Sequence, residues 1–376
     1  MRPMLKPAMR RSWRSRESLQ FGVDPAHAVV LDSVDGAASA FLDLLDGTRG
    51  IGPLAREAES LGLEPRQARR LLGLLAEGGV LDDASSHAEL SEAMSHRSAA
   101  LDRLRPDLAA LSVVHTDPGG AADRIRERRG TRVRVVGAGR VGGTIAGVLS
   151  AAGVGRVDVR DDGRVEPWDT APGGIPADHI GERRDAAARG LVRRAAPDPR
   201  AGAVGRRGPA ARPEPGLSLV VIAPRDGLAA YAPDPREAEP LLAAGIPHLY
   251  AGVVEGMGVV GPLVVPGSTG CAGCLGLRMA DADAAWPRVL AQLRSGRGGV
   301  PACDVALATT VAGLAAAHAL AFVDGGRPPS CGARWELGLA RLTTEVRPVP
   351  VDRRCGCGAT GELGAALREG RGTMTG

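Results

Sequence analysis

Apolar residues along this chain follow two rhythms. From about residue 131 onward, short β-branched runs alternate with stretches of helical spacing. Val133, Val135 and Val136 form the first run, which predicts a buried parallel strand. A helix over about Arg140–Ala152 follows, and Val154–Val159 predicts the second strand. Further strands are expected at Leu217–Ile222, His248–Val254 and Gly258–Val265, with one or two more within Arg334–Arg347. Helices are expected at Arg236–Ala244 and, Ala-rich, at Asp304–Phe322.

The first 83 residues read differently. Ser18–Phe21 and Ala28–Leu31 predict a β-hairpin around Gly22–His27. Phe41, Leu42, Leu44 and Leu45 lie on a short helix stopped by Gly47. A second helix is expected near Pro53–Ser60. A third, Pro65–Glu77, carries Leu71, Leu72, Leu74 and Leu75 and ends at Gly78 and Gly79. Hairpin plus three helices predicts a small winged-helix-like domain over 1–83. DNA binding is the usual work of that shape, but the third helix shows no cluster of base-reading polar side chains. Residues 84–130 begin as a polar linker. Leu101, Leu104, Leu108 and Leu111 then make a helical stripe suited to core packing or a dimer contact. The main domain is expected over 131–358, with a loose Arg/Pro/Gly segment at Pro197–Gly216 and a flexible tail at 359–376.

Composition supports two domains: 376 residues exceed one typical domain, and 44% are hydrophobic. Aromatics make up 2%, so the core is built from Val, Leu, Ala and Ile. Arginine supplies nearly all positive charge, and Lys6 is the sole lysine. A net charge of +4 with no tract of interleaved basic and aromatic residues argues against a nucleic-acid partner. The N-terminus has no apolar signal-peptide region, and no stretch reaches ~18 uninterrupted apolar residues, so no membrane span is expected. Four of the six cysteines fall into two close pairs, which points to metal in a reducing cytoplasm.

Two constellations carry candidate chemistry. Gly137, Gly139 and Gly142 form G-x-G-x-x-G between the first strand and its helix. The first glycine permits a tight turn, the second a close approach of phosphate to backbone, and the third close helix packing. The helix aims its free N–H groups at the phosphates. Asp161, at the end of the second strand, is placed to accept from ribose hydroxyls. Strand, glycine loop, helix, strand and Asp in order predict a nucleotide-binding βαβ unit, and alone they also allow an NAD-dependent oxidoreductase. The second constellation is Cys271-x-x-Cys274 with Cys355-x-Cys357. Tight turns between close cysteines let two thiolates reach one tetrahedral Zn²⁺, and four would make a closed, structural site. Cys303 and Cys331 stand alone. Cys303 precedes a helix, where a thiol pKa can fall, but the simpler reading of each is a small buried apolar residue.

These segments together resemble the ThiF/MoeB/ubiquitin-E1 superfamily. Gly137-Ala-Gly-Arg-Val-Gly142-Gly143 resembles its glycine loop, and Ala152-Gly-Val-Gly155 its A-G-V-G turn. Asp161 with Val165 and Glu166 resembles its D-x-D-x-V segment, and Ile180, Gly181 and Arg184 its I-G-x-x-K segment. Ile246-Pro247, Gly261-Pro-Leu-Val-Val and Cys271-x-x-Cys274 follow in family order. The resemblance covers about 131–358. It implies a Rossmann-like, doubly wound α/β sheet and ATP with Mg²⁺ as cofactors. The implied reaction is adenylation of a C-terminal carboxylate on a peptide or small protein, within a homodimer. Gly137, Gly139, Gly142, Gly143 and Asp161 would bind nucleotide, with Arg184 and Asp226 at the reacting end.

Several positions depart from the family pattern. Its second Asp falls at Gly163, its Asn at Asp169, the arginine after it near Pro172, and its lysine at Arg184. Its Mg²⁺-binding T-D-N reads Pro224-Arg225-Asp226-Gly227, where Asp226 fits only with a one-residue shift. The first domain is similar, in turn, to the partner component of azoline-forming cyclodehydratases. In those proteins the N-terminal unit captures a leader peptide as an added strand, and a separate modifying enzyme performs the ATP chemistry. By this likeness the Ser18–Leu31 hairpin with the third helix would take the peptide. Two functions are therefore expected: an adenylyltransferase, or a non-catalytic docking protein for peptide modification.

Overall fold

A computed structural model describes residues 1–94, 98–198, 216–296 and 299–361. The chain forms two compact units that divide at Glu127–Arg128. Most of the Pro197–Gly216 segment and most of the 359–376 tail lie outside the described residues.

The first unit holds two small sheets. Strands β1 (Pro3–Leu5) and β5 (Leu81–Asp83) pair antiparallel. Strands β2 (Arg11–Trp13), β3 (Leu19–Phe21) and β4 (Val29–Leu31) form an antiparallel sheet in that order. The expected hairpin is β3–β4, with Leu19 opposite Leu31 and Phe21 opposite Val29. Three helices follow: α1 (Gly36–Asp43), α2 (Ile51–Ser60) and α3 (Pro65–Glu77). Helix α3 starts where the sequence says, because Glu64 and Gln67 form a capping box around Pro65. Leu19, Phe21, Phe41, Leu42, Leu54 and Leu75 make the core.

The stretch after residue 83 is not a linker. It is helix α4 (Ala84–Ala93), followed by α5 (Ser98–Val114) and α6 (Gly120–Gly130). Only Leu90 on α4 and Met94 after it reach the core, where they join Leu104, Leu108, Leu111 and Ile125, so α4 looks polar in sequence. Its start is marked instead by the Asp83 side chain, which accepts from Ser85 N–H. The lone lysine is buried here. Lys6 Nζ donates to the Ser112 carbonyl at 2.6 Å and the Thr116 carbonyl at 3.1 Å, closing the C-terminal end of α5.

The second unit is a seven-stranded mixed sheet. Strands β6 (Arg132–Val136), β7 (Arg156–Arg160), β8 (Leu219–Ile222) and β9 (His248–Val254) are followed by β10 (Met257–Val264), β11 (Ala333–Gly338) and β12 (Thr343–Pro348). Their order is β12-β11-β10-β9-β8-β6-β7, parallel from β7 to β9 and antiparallel beyond. Val133, Val135, Leu219 and Val221 are fully buried, as a sheet covered by helices requires.

Helix α7 (Arg140–Ala151) packs against α8 (Arg184–Ala195). Helices α9 (Leu228–Tyr231), α10 (Pro235–Ala243), α11 (Ala272–Ala282) and α12 (Trp286–Ser295) precede α13 (Val305–Val323). Helix α13 is long and apolar enough to cross a bilayer by composition, with a mean hydropathy of 1.8. Ala308, Val311, Ala312 and Ala315 on it are nevertheless buried in the core with the sheet. A buried ion pair ties the unit together. Arg128 meets Asp324 through two bonds of 2.7 Å, and Arg128 also donates to the Ala152 carbonyl.

One consequence for stability concerns Asp82 in the first unit. Burial alone would raise its pKa, but hydrogen bonds from His87 and from the Gly119 and Asp83 amides outweigh it and hold it at about 2. A depressed folded-state pKa contributes stability above the unfolded value of about 3.9, and that stability disappears as pH falls toward 2. In urea unfolding, the wild type should lose about 2 kcal/mol more than Asp82→Asn between pH 5 and pH 2. Parallel losses in the two proteins would contradict the assignment.

Candidate functional site

The glycine loop sits at the ends of β6 and β8. Gly137 has φ of 101°, and a Cβ there would lie 2.0 Å from the Ala223 carbonyl oxygen. A Cβ on Gly142 would lie 2.1 Å from the Gly137 carbonyl oxygen. These two glycines let α7 close onto the strand ends. Gly143 is buried, in ordinary contact range of Ile175. Gly139 caps α7, and the nearest atom to a Cβ placed there is Arg225 Cγ at 3.5 Å. Gly139 and Gly142 border a cleft of about 130 Å³ that Arg140, Trp168, Arg225 and Cys303 also line. Pockets for drug-sized ligands run to roughly 300–1,000 Å³.

The acidic side of the cleft is filled by the protein's own cations. Asp161 stands where the sequence puts it, and its carboxylate already accepts three hydrogen bonds from the protein. It accepts from Ala138 N–H at 2.8 Å, Gly163 N–H at 2.9 Å and Arg184 Nε at 2.8 Å. Arg184 also donates to the Arg164 carbonyl and to Asp169 at 3.2 Å. Asp169, 2% exposed, is the hub: it takes Arg225 Nε at 2.6 Å and the Glu166 amide at 2.9 Å. Arg225 pairs with Glu166 as well and lies 5.7 Å over the Trp168 ring. Two arginines thus pair with three carboxylates, which leaves the cluster a formal charge of −1.

Two departures from the family pattern are coupled here. A Cβ on Gly163 would lie 1.9 Å from Arg184 Nη2. The guanidinium occupies the space that any side chain at 163 would need. Arg184, expected at the reacting end, here forms an ion pair with Asp161. Asp226 is not brought to the site. It is exposed and accepts from Leu228 N–H at the start of α9, and it does not line the cleft. Arg225, its neighbour, takes the position facing the glycine loop. Among the lone cysteines, Cys331 is buried and pushed up to about 11 by burial. Cys303 borders the cleft, and burial raises its thiol too, against the pull of Arg140.

The four paired cysteines converge. Cys271 Sγ lies 3.9 Å from Cys274 Sγ and 3.6 Å from Cys355 Sγ, and Cys274 Sγ lies 3.7 Å from Cys357 Sγ. All four sulfurs fall within 4.8 Å of one another. A Zn–S bond of about 2.3 Å sets a tetrahedral edge of roughly 3.8 Å, so the donor set fits one Zn²⁺. The Cys274 thiol is pulled well below the usual thiol range, chiefly by the hydrogen bond from Cys271, and the Asp352 amide at 3.4 Å adds to this. Glycine spacers let the segments meet: a Cβ on Gly273 would lie 2.8 Å from Cys355 Sγ.

Metal analysis of the purified wild type should find about one zinc per chain. Cys355→Ala should lose it and melt earlier; a zinc-free wild type would end the assignment. Gly163→Asp should destabilise the second unit, and Arg184→Lys in the same chain should relieve part of that loss. A double-mutant cycle should give a coupling of about 1 kcal/mol or more, whereas additive effects would show that the two positions are independent.

Comparisons with known proteins agree with this architecture. Microcin C7 biosynthetic enzyme MccB from E. coli, in complex with N-formylated MccA, superposes with a TM-score of 0.67 at 13% identity, over 96% of this chain and all of that one. E. coli MccB with ATP gives 0.65 at 14% identity, over 96% and 100% of the two chains. The heterocyclase TruD gives 0.59 at 17% identity, over 98% of this chain and 44% of that one. At these identities the likeness establishes the fold alone. No curated protein matches by sequence. The family model of ThiF matches residues 118–359, more than half of the chain. With the glycine loop, the mixed sheet and the cysteine centre in their places, this chain belongs to the ThiF family.

Proposed function

We propose that this protein serves peptide modification as a binding and docking component, and that its nucleotide fold is kept as a scaffold. The observation that carries this reading is Arg225, paired with Asp169 and Glu166 at the mouth of the glycine loop. Adenylation makes a carboxylate oxygen a good leaving group by bonding it to the α-phosphate of ATP as pyrophosphate departs, and negative charge builds around that phosphate in the transition state. That charge needs Mg²⁺ and free cationic groups. Here the donor set does not fit a nucleotide with Mg²⁺. Arg225 stands in the segment that should carry the metal's carboxylate, Asp226 does not line the cleft, and Asp161 already accepts three hydrogen bonds from the protein itself.

The peptide side of the proposal rests on the first unit. Strand β4 ends its sheet, and beside it lies a cavity of about 170 Å³ lined by Met9, His27, Val29, Gly79, Val113 and Thr116. An extended leader segment adds to such an edge through backbone hydrogen bonds and places one side chain in the cavity. The relatives support the setting: one MccB structure holds N-formylated MccA, and TruD is a heterocyclase. A separate modifying enzyme would then supply the ATP chemistry, and structural zinc would fasten the C-terminal segment to the domain. A second reading, ATP-dependent adenylation, is favoured by one observation. The N-terminus of α7, with Gly139 and Arg140, still opens on the cleft as an anion site. NAD-dependent oxidation has no such support within this family.

An ATP–pyrophosphate exchange assay with the candidate leader peptide separates the two. The docking reading expects peptide binding without exchange. Exchange that vanishes in Asp161→Ala would sink it and establish an adenylating site.

A further inference from the structure

Strand β2 has features that neither the nucleotide fold nor the β4 edge uses. Residues 10–16 read Arg-Arg-Ser-Trp-Arg-Ser-Arg, four arginines and no acid, a charge equal to the +4 of the whole chain. Codon bias toward arginine explains arginine in place of lysine, but it does not explain arginine without acids. Arg11 pairs with Asp43, and Arg14 contacts the neutral Gln20. Arg10 and Arg16 have no acidic partner among the described residues. All three β2 residues are exposed, and Trp13, one of only four tryptophans, is 50% exposed.

The backbone of β2 is equally open. It is the outer strand of the sheet β2-β3-β4. Arg14 N–H donates to the Ser18 carbonyl and Gly22 N–H to the Arg10 carbonyl, both at 2.8 Å. The antiparallel alternation therefore turns the polar backbone groups of residues 10, 12 and 14 toward β3, and those of Arg11 and Trp13 outward. Side chains alternate too. Arg10, Ser12 and Arg14 share the face of Gln20 and Val30, whereas Trp13 lies on the face of Leu19. Charged residues on an edge strand guard against aggregation, but that purpose gains nothing from an exposed tryptophan. Tryptophan and arginine together are what binding surfaces use as anchors.

We propose that the β2 edge docks an extended acidic segment of a partner protein. The segment adds as a fourth strand by pairing with the Arg11 and Trp13 backbone. Its acidic residues face Arg10 and Arg14 on one side, with Arg16 at the end, and its apolar residues meet Trp13 on the other. The geometry thus asks for a sequence that alternates acid and apolar residues. A phosphodiester chain would satisfy the arginines but has no backbone to pair with the strand edge, so an acidic polypeptide is the better fit. This inference is independent of the state of the nucleotide cleft.

The test is fluorescence anisotropy of a labelled peptide of alternating Glu and Val, titrated with the full chain. Arg14→Glu with Arg16→Glu should weaken binding about tenfold at low salt, and Trp13→Ala by a similar factor, with melting temperatures unchanged. A block peptide of the same composition should bind less well. Hydrogen exchange should show the Arg11 and Trp13 amides protected by the alternating peptide, and the Ser12 amide unaffected. Equal affinity in the variants, protection elsewhere, or tighter binding of oligothymidylate than of the peptide at the same ionic strength would overturn the proposal.

Discussion

The clasp between Asp161 and Arg184, extended through Asp169 to Arg225, is the constraint on which the rest of the second unit's chemistry depends. A carboxylate at the end of a strand is costly to bury alone and is stabilised here by two backbone amides and a guanidinium. That same arrangement leaves Asp161 holding the glycine turn through Ala138. The nucleotide fold is therefore completed from within. Arg184 and Arg225 are held by the unit's own acids beside the glycine loop.

This constraint accounts for the uneven pattern of retained and lost motif positions. Gly137 and Gly142 cannot be replaced because backbone oxygens lie about 2 Å from where a side chain would begin. They persist for packing, whatever the site binds. Gly163 faces a softer obstacle, the Arg184 guanidinium, which must leave its ion pairs before a side chain at 163 can fit. The family pattern has drifted both at exposed positions, such as Asp226 and Pro172, and within the ion-pair cluster, at Gly163, Asp169 and Arg184. A glycine loop is thus better evidence for the fold than for the reaction.

The βαβ unit and the cysteine centre were legible in the sequence because each is a pattern of residue types at short range. β-branched runs, glycines at fixed offsets and C-x-x-C all say directly what the backbone or a metal needs. Other elements left weaker marks. Strand β2 buries none of its residues, so no apolar alternation exists to read. Helix α8 buries only Ala187, Ala188 and Gly190, small residues beneath an arginine-rich face. Helix α4 was visible only in its Asp83 cap. The ion-pair network was hidden for another reason. Its members are spread from 161 to 225, and in a chain whose cations are nearly all arginine a single Arg225 carries no signal until its partners are seen.

The central claim is that internal arginines close the nucleotide site. Calorimetric titration of Mg²⁺-ATP into the wild type and into Arg225→Thr tests it most directly. The account predicts no binding by the wild type and measurable binding once Arg225 is removed. Wild-type binding that Arg225→Thr leaves unchanged would contradict it.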